Sequence, residues 1–293
     1  MTILEAVIQG VIQGLTEFLP VSSSGHLALY QYFTGRSGET GALFALVLHL
    51  GTLLAVFVAF WPTIAELIGA LWRTVCCLFG KRYRRRFPDE QQRLLLLLAV
   101  SLLPLFLTLA LKDPLRAAAQ DNNIIVEGVC FLLTGALLLF ADSTVGGRAK
   151  APQMTYRAAL AVGLMQAAAP LPGLSRSGST LSTGLLLGLE KQFAITFSFL
   201  MGIPAVCAAL LLDAGEILHG GMDLPFAVIA AGLAASAVFG LLAIRMVRWL
   251  VASNKLRWFG YYTVALGVLT LGIGIFEMIA GHPIQQAVMA LLQ

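Results

Sequence analysis

Two stretches decide the fold: FLPVSSSGH at 18–26 and PLPGLSRSGST at 170–180. Each lies in the middle of a longer apolar stretch, around residues 2–34 and 155–189, and breaks it with Pro, Ser and Gly. The apolar half on either side of each break is too short to cross about 30 Å of hydrocarbon alone, which takes roughly 20 residues. The pattern predicts a helix that enters, turns at depth and leaves, a re-entrant hairpin. Irregular backbone at that depth survives only where protein or a polar cavity surrounds it. A break loaded with hydroxyls, Glu, His and Arg is therefore a candidate site.

The rest of the chain supports a membrane setting. Of 293 residues, 58% are apolar and 12% charged, and the mean hydropathy is +0.86. Soluble chains carry about 25% charged residues. A soluble enzyme, a nucleic-acid binder and a disordered scaffold are all excluded on that ground. Six uncharged or nearly uncharged runs read as transmembrane spans: 41–61, 94–111, 124–141, 192–212, 224–244 and 258–276. The first basic residue is Arg36, so the start does not read as a secretory signal. The cysteines, Cys76, Cys77, Cys130 and Cys207, have no metal-ligand or CxxC spacing and read as small apolar residues.

Charge sets the expected orientation. Arg73, Lys81, Arg82, Arg84, Arg85, Arg86 and Arg93 lie between spans one and two; Arg148, Lys150 and Arg157 follow span three; Arg245, Arg248, Lys255 and Arg257 lie between spans five and six. Alternation puts these 14 of 19 basic residues on one side, expected to be cytoplasmic, with both termini external. The KRYRRR run at 81–86 is then a topology determinant that also suits anionic lipid headgroups, not a nucleic-acid patch.

The two breaks share one register. Gly10, Gln13, Ser22, Ser24, Gly25 and Phe44 recur as Gly163, Gln166, Ser175, Ser177, Gly178 and Phe197, each 153 residues on (166 − 13 = 153). A single offset without a gap implies duplication. The expected fold is an all-α integral membrane domain over 1–293, with repeat one about 1–141 and repeat two about 154–279. Each repeat is one re-entrant hairpin plus three transmembrane helices. Three spans are odd, so the second repeat is inverted and the two hairpin tips meet near the midplane, as in transporters.

The tips together carry a chemistry. Glu17, Ser22, Ser23, Ser24 and His26 come from the first; Ser175, Arg176, Ser177, Ser179 and Thr180 come from the second. Ionisable groups at depth are costly and mark function. A Ser/Gly turn opening a helix offers N–H groups to phosphate, and Arg176 adds a planar fork that fits phosphate oxygens. Glu17 suits a divalent cation that bridges phosphates. A serine beside His26 offers a nucleophile and a base. Phosphate, metal, nucleophile and base describe phosphoanhydride hydrolysis. Blander readings stand beside this one: serines that merely satisfy freed backbone, and Glu17–Arg176 as a buried ion pair. His49 reads as a polar packing residue of span one, and Glu127 and Glu277 as interfacial carboxylates.

QGLTEFLPVSSSGH at 13–26 and PGLSRSGST at 172–180 resemble the two signature regions of bacterial undecaprenyl pyrophosphate phosphatases, the bacitracin-resistance family. Gln13 and Glu17 match that family's (E/Q)xxxE motif; Pro172, Gly173, Ser175, Arg176, Ser177 and Thr180 match its PGxSRSxxT motif. The resemblance spans essentially the whole chain. It implies hydrolysis of undecaprenyl pyrophosphate to undecaprenyl phosphate, recycling the lipid carrier of peptidoglycan synthesis and giving bacitracin resistance. It also implies the inverted-repeat fold, a divalent cation (Mg²⁺ or Ca²⁺) and a homodimer in the inner membrane, with the site open to the external side. Ser23 is the favoured nucleophile, with His26 as its base or orienting partner; attack by a metal-bound water is the alternative. Gly173, Ser175, Arg176, Ser177, Thr180 and Ser22 are expected on the phosphates. Glu17 is expected to act in catalysis and, with Gln13, to hold the metal. Because Gln13 replaces the motif's carboxylate option, the metal must draw on Glu17, neutral oxygens, waters and substrate.

Two rival readings differ at particular residues or in their product. The phosphatidic-acid-phosphatase type needs an Arg-Pro dipeptide, which the chain lacks, and a histidine where Ser182 stands. A transporter or flippase for a phosphorylated lipid shares the broken-helix layout and differs in releasing no phosphate.

Overall fold

A computed structural model describes residues 1–35, 42–79, 89–110, 123–144, 147–220 and 224–292. Among the described residues the regular elements are all helices, apart from one isolated bridge between Ala149 and Leu189. The KRYRRR run lies outside them.

Both broken stretches form a helix, a turn and a second helix. The first pair is α1 (Ile3–Phe18) and α2 (Ser23–Phe33). The capping box of Thr2 and Glu5 starts α1, with Thr2 Oγ1 accepting from Glu5 N and Glu5 Oε2 from Thr2 N. Such a box satisfies two N–H groups that otherwise lack partners. Pro20 cannot continue a helix and removes an N–H, so α1 ends before it. The first span then builds α3 (Ala42–Phe79), the second α4 (Glu90–Leu102) and the short α5 (Leu105–Ala110), and the third α6 (Ile125–Asp142). The second broken pair is α7 (Tyr156–Ala168) and α8 (Arg176–Leu186). The chain closes with α9 (Lys191–Gly220), α10 (Phe226–Ala252), α11 (Arg257–Ala280) and α12 (Pro283–Leu292). The starts of α1 and α7 differ by 153 residues, as do both the starts and the ends of α2 and α8 (176 − 23 and 186 − 33).

Among the described residues six helices are long and apolar enough to cross a membrane, in the order expected. The protein is a multi-pass, all-α membrane protein. The first span runs further than its uncharged core suggested. Its helix continues past Trp61 to Phe79 but kinks at Phe60, where φ is −121°. Pro62 accounts for the kink, since it has no N–H for the preceding turn. Arg248 of α10 occupies the break: it donates to the Ala59 carbonyl at 3.3 Å and lies 4.3 Å over the Phe60 ring.

Small residues set the helix contacts. A Cβ on Gly10 or Gly14 would fall 2.7 Å from the Gly232 carbonyl oxygen or 2.5 Å from that of Ser236, so α1 lies nearly backbone to backbone on α10. A Cβ on Gly163 would meet the Ser101 carbonyl oxygen at 2.1 Å, which puts α7 in the same relation to α4. Gly128 and Gly135 of α6 face Gly267 and Gly260 of α11. In lipid there is no hydrophobic drive between helices, so close packing of this kind supplies much of the association. Buried Phe18, Phe60, Phe197, Phe199 and Met201 fill the main core.

Both carboxylates expected at span ends are buried within protein. Glu127 is 2% exposed. Glu277 is 1% exposed and accepts from the Tyr32 hydroxyl and from the N–H groups of Ile284 and Gln285 at the start of α12.

Candidate active site

The two breaks touch. A Cβ on Gly25 would lie 2.7 Å from the Gly173 Cα, and one on Gly173 would lie 2.5 Å from the Glu127 carbonyl oxygen. Gly173 also has φ +90°, a region that side chains disfavour, so glycine is required there twice over. Ser177 Oγ crosses from the second tip and donates to the Leu19 carbonyl at 3.2 Å. The expected meeting of residues 13–26 with 170–180 is what the structure contains.

Each second helix opens at this contact with the same cap. Ser22 Oγ accepts from Gly25 N at 3.3 Å, and Ser175 Oγ accepts from Gly178 N at 3.0 Å. A capped N-terminus still turns its first-turn N–H groups and the positive end of its dipole toward the turn. Ser22 achieves this with φ +72°, uncommon for a residue with a side chain. Thr134 of α6 braces the second turn. Its hydroxyl donates to the Gly173 carbonyl at 3.2 Å and accepts from Ser175 N at 3.0 Å.

The charged groups converge on Glu17. Arg176 Nη2 donates to Glu17 Oε1 at 2.6 Å, and the pair is only 17% and 9% exposed. Ser23 Oγ donates to Glu17 Oε2 at 2.6 Å, the length of a charge-assisted O–H to carboxylate bond. Gln13 Nε2 donates to the same oxygen at 3.1 Å from one turn earlier. The second guanidinium prong, Nη1, reaches the Ser198 carbonyl at 3.4 Å. Thr180 Oγ1 bonds the Arg176 carbonyl and the Ser198 hydroxyl, so it secures the helix turn that carries the arginine. Glu17, Ser22, Ser23, Ser24, Ser175 and Arg176 line one cavity of about 660 Å³. Its remaining wall is largely apolar, with Leu102, Leu105 and Phe106 from α4–α5 and Val206 and Leu211 from α9.

His26 stands apart from Ser23. Its Nδ1 bonds the Ser22 carbonyl at 2.7 Å, and a carbonyl only accepts, so that nitrogen carries a proton. Nε2 meets the Tyr262 hydroxyl at 2.7 Å, and the ring is flanked by Phe131 and Tyr262. Both nitrogens are thus occupied without Ser23. The resemblance implies His26 as base or orienting partner of Ser23; the carboxylate of Glu17, six residues before Ser23, takes the hydroxyl instead.

Three contributors escaped sequence reasoning. His49, read as packing, lines the cavity. Its Nδ1 donates to the Ala45 carbonyl at 2.8 Å. Tyr262 of the last span holds His26. Gly202 of α9 makes room for Arg176: a Cβ there would lie 2.2 Å from Nη1. No local signal marks any of these, because each reaches the site through tertiary packing.

Whether a divalent cation fits depends on oxygen donors. Gln13 Oε1 is buried without a partner, the kind of neutral oxygen that Mg²⁺ or Ca²⁺ accepts. Both oxygens of Glu17 already carry bonds. Among the described residues no group of three or more His, Cys, Asp or Glu gathers as a metal cage. These oxygens fit an ion that water and substrate phosphates would complete, and Gln13 and Glu17 are the residues that would hold it.

The sequence was compared with known proteins. The sequence model of the family described as "Bacitracin resistance protein BacA" matches residues 6–269. A protein named undecaprenyl-diphosphatase from Rubrobacter xylanophilus is 40% identical over 275 residues, 93% of this chain and 98% of that one. Proteins of the same name from Methanosphaera stadtmanae and Bacteroides fragilis are 35% and 36% identical, and cover 94% and 91% of the chain. With both signature motifs joined at one cavity and the match running over nearly the whole length, this chain belongs to the bacitracin-resistance protein family.

Proposed function

We propose that this protein hydrolyses undecaprenyl pyrophosphate to undecaprenyl phosphate and inorganic phosphate. The observation that carries the reading is the Ser23–Glu17–Arg176 constellation in a cavity whose other wall is apolar. A nucleophile, a proton acceptor and a phosphate fork share the polar end. The apolar wall suits an isoprenoid chain.

In this mechanism the terminal phosphate displaces Glu17 from the Arg176 fork and receives the first-turn N–H groups of α2 and α8. Ser23 Oγ attacks the terminal phosphorus while Glu17 accepts its proton. The phosphoanhydride bond breaks, and its electron pair leaves on undecaprenyl phosphate. Water then cleaves the phosphoserine, giving inorganic phosphate and restoring the serine hydroxyl. His26 orients the turn through Ser22 and Tyr262. A divalent cation held by Gln13 and Glu17 would neutralise phosphate charge.

We further propose an inverted duplication. It is supported by the shared offset of the helix bounds and by the exchange in which α1 packs on α10 and α7 on α4. The cavity runs toward the ends of α5 and α9 that lie away from the basic segments, which favours an external opening in the inner membrane. A homodimer is the family expectation.

The test is phosphate release from undecaprenyl pyrophosphate by pure protein in detergent, with and without chelator. Release that stops with chelator and returns with Mg²⁺ or Ca²⁺ is expected. No release from folded protein would leave a lipid flippase as the better reading.

A further inference from the structure

The last turn of helix α7 carries Gln166, which has no part in the proposed mechanism. Gln166 is 2% exposed and lines the cavity. Neither its amide oxygen nor its amide nitrogen has a hydrogen-bond partner. A carboxamide brings two donors and an acceptor, and native proteins rarely bury one with both ends unmet. Its backbone place is fixed, because one turn earlier Gly163 brings α7 against the Ser101 carbonyl of α4. The side chain is therefore held beside the same wall to which Leu102 contributes.

Register explains why the amide is free. Gln166 stands 153 residues after Gln13, and Gln13 donates to Glu17 four residues on. Four residues after Gln166 comes Pro170, which offers no side-chain acceptor. At the next matched position Ser23 is answered by Arg176. The second tip thus keeps the amide of the first but replaces its carboxylate and nucleophile with a proline and a cation. It presents donors without an anion of its own.

A pyrophosphate has two phosphate groups, and one guanidinium fork grips one of them bidentately. We propose that Gln166 binds the other. Its Nε2 donates to a non-bridging oxygen, its Oε1 accepts from water in the cavity, and the residue thereby favours diphosphate over monophosphate. This rests on the reading of the cavity as a pyrophosphate site.

The test uses full-length protein in detergent with Gln166→Leu, which keeps the volume and removes both polar ends. On undecaprenyl pyrophosphate, KM should rise tenfold or more with kcat within about threefold of wild type, a split that marks lost binding. Inhibition by methylenediphosphonate should weaken by a similar factor, while inhibition by inorganic phosphate stays. The melting temperature should not fall, since an apolar isostere suits a site where an amide has no partner. Unchanged KM and inhibition would overturn the assignment. So would an equal loss for both inhibitors, which would mean a distorted cavity. If the leucine variant does not fold, Gln166→Glu keeps the shape and repels phosphate; retained methylenediphosphonate inhibition in it also overturns the proposal. Absence of phosphate release by the wild type would count against the hydrolase reading alone, because diphosphonate binding measured by thermal shift still tests Gln166.

Discussion

At the scale of single residues the site is a set of partners rather than a row of reactive groups. Ser23 is paired with a carboxylate at 2.6 Å and His26 with a tyrosine and a carbonyl. The two should therefore behave differently when removed. Ser23→Ala is expected to lower kcat by at least about a hundredfold, some 2.7 kcal/mol. Tyr262→Phe should copy most of the effect of His26→Ala, because either change removes the bond between His26 Nε2 and the Tyr262 hydroxyl. Steady-state phosphate release checks both, and a Ser23→Ala rate above about a tenth of wild type, worth about 1.4 kcal/mol, would hand the attack to water. Arg176 gives a second prediction. Its planar fork divides between Glu17 and the Ser198 carbonyl, and lysine has no such geometry. Arg176→Lys should fold yet lose roughly ten- to a hundredfold in kcat/KM, from a charge-assisted contact of about 1.5–3 kcal/mol. Turnover near wild type would make the arginine a structural counter-ion. The motifs made Glu17, Ser23 and Arg176 legible in the sequence. Which hydroxyl meets which base was not, since a difference of one helix position decides it.

At the scale of elements, the site depends on how near α9 approaches the second tip. Gly202 leaves the space that the Arg176 guanidinium fills. Its neighbour there is the end of a flexible side chain, so a methyl group at 202 can be accommodated by moving the arginine off Glu17. Gly202→Ala should keep the melting temperature within a few degrees and lower kcat/KM at least tenfold. Full activity in that variant would show that the arginine has a second workable position. The hairpin helices were readable from their breaks, because Pro20 and Pro170 end helices wherever they occur in this pattern. The continuation of α3 to Phe79 was less so. Uncharged length marks where a helix meets lipid and is silent on how far it runs beyond it. Pro62 made the kink at Phe60 readable, but the group that occupies the break, Arg248, comes 188 residues after Phe60.

At the scale of the whole molecule the external opening proposed above predicts an orientation. In a background free of native cysteine, a cysteine placed at Ser253, between α10 and α11, should resist an impermeant thiol reagent in whole cells. One placed at Gly281, after α11, should react. The reverse pattern would sink the assigned sidedness. The contacts of the first hairpin carry a further consequence, for the order of events during synthesis. Its helix α1 seats on Gly232, 222 residues after Gly10, and its turn seats on Gly173, 148 residues after Gly25. At about 5–20 residues per second, the ribosome needs about 10–45 s to supply the farther of these partners. A broken helix cannot rest at membrane depth without protein around it. The segment translated first is thus the last to be enclosed, and it must wait at the bilayer surface, or in the care of the insertion machinery, until most of the chain has been made.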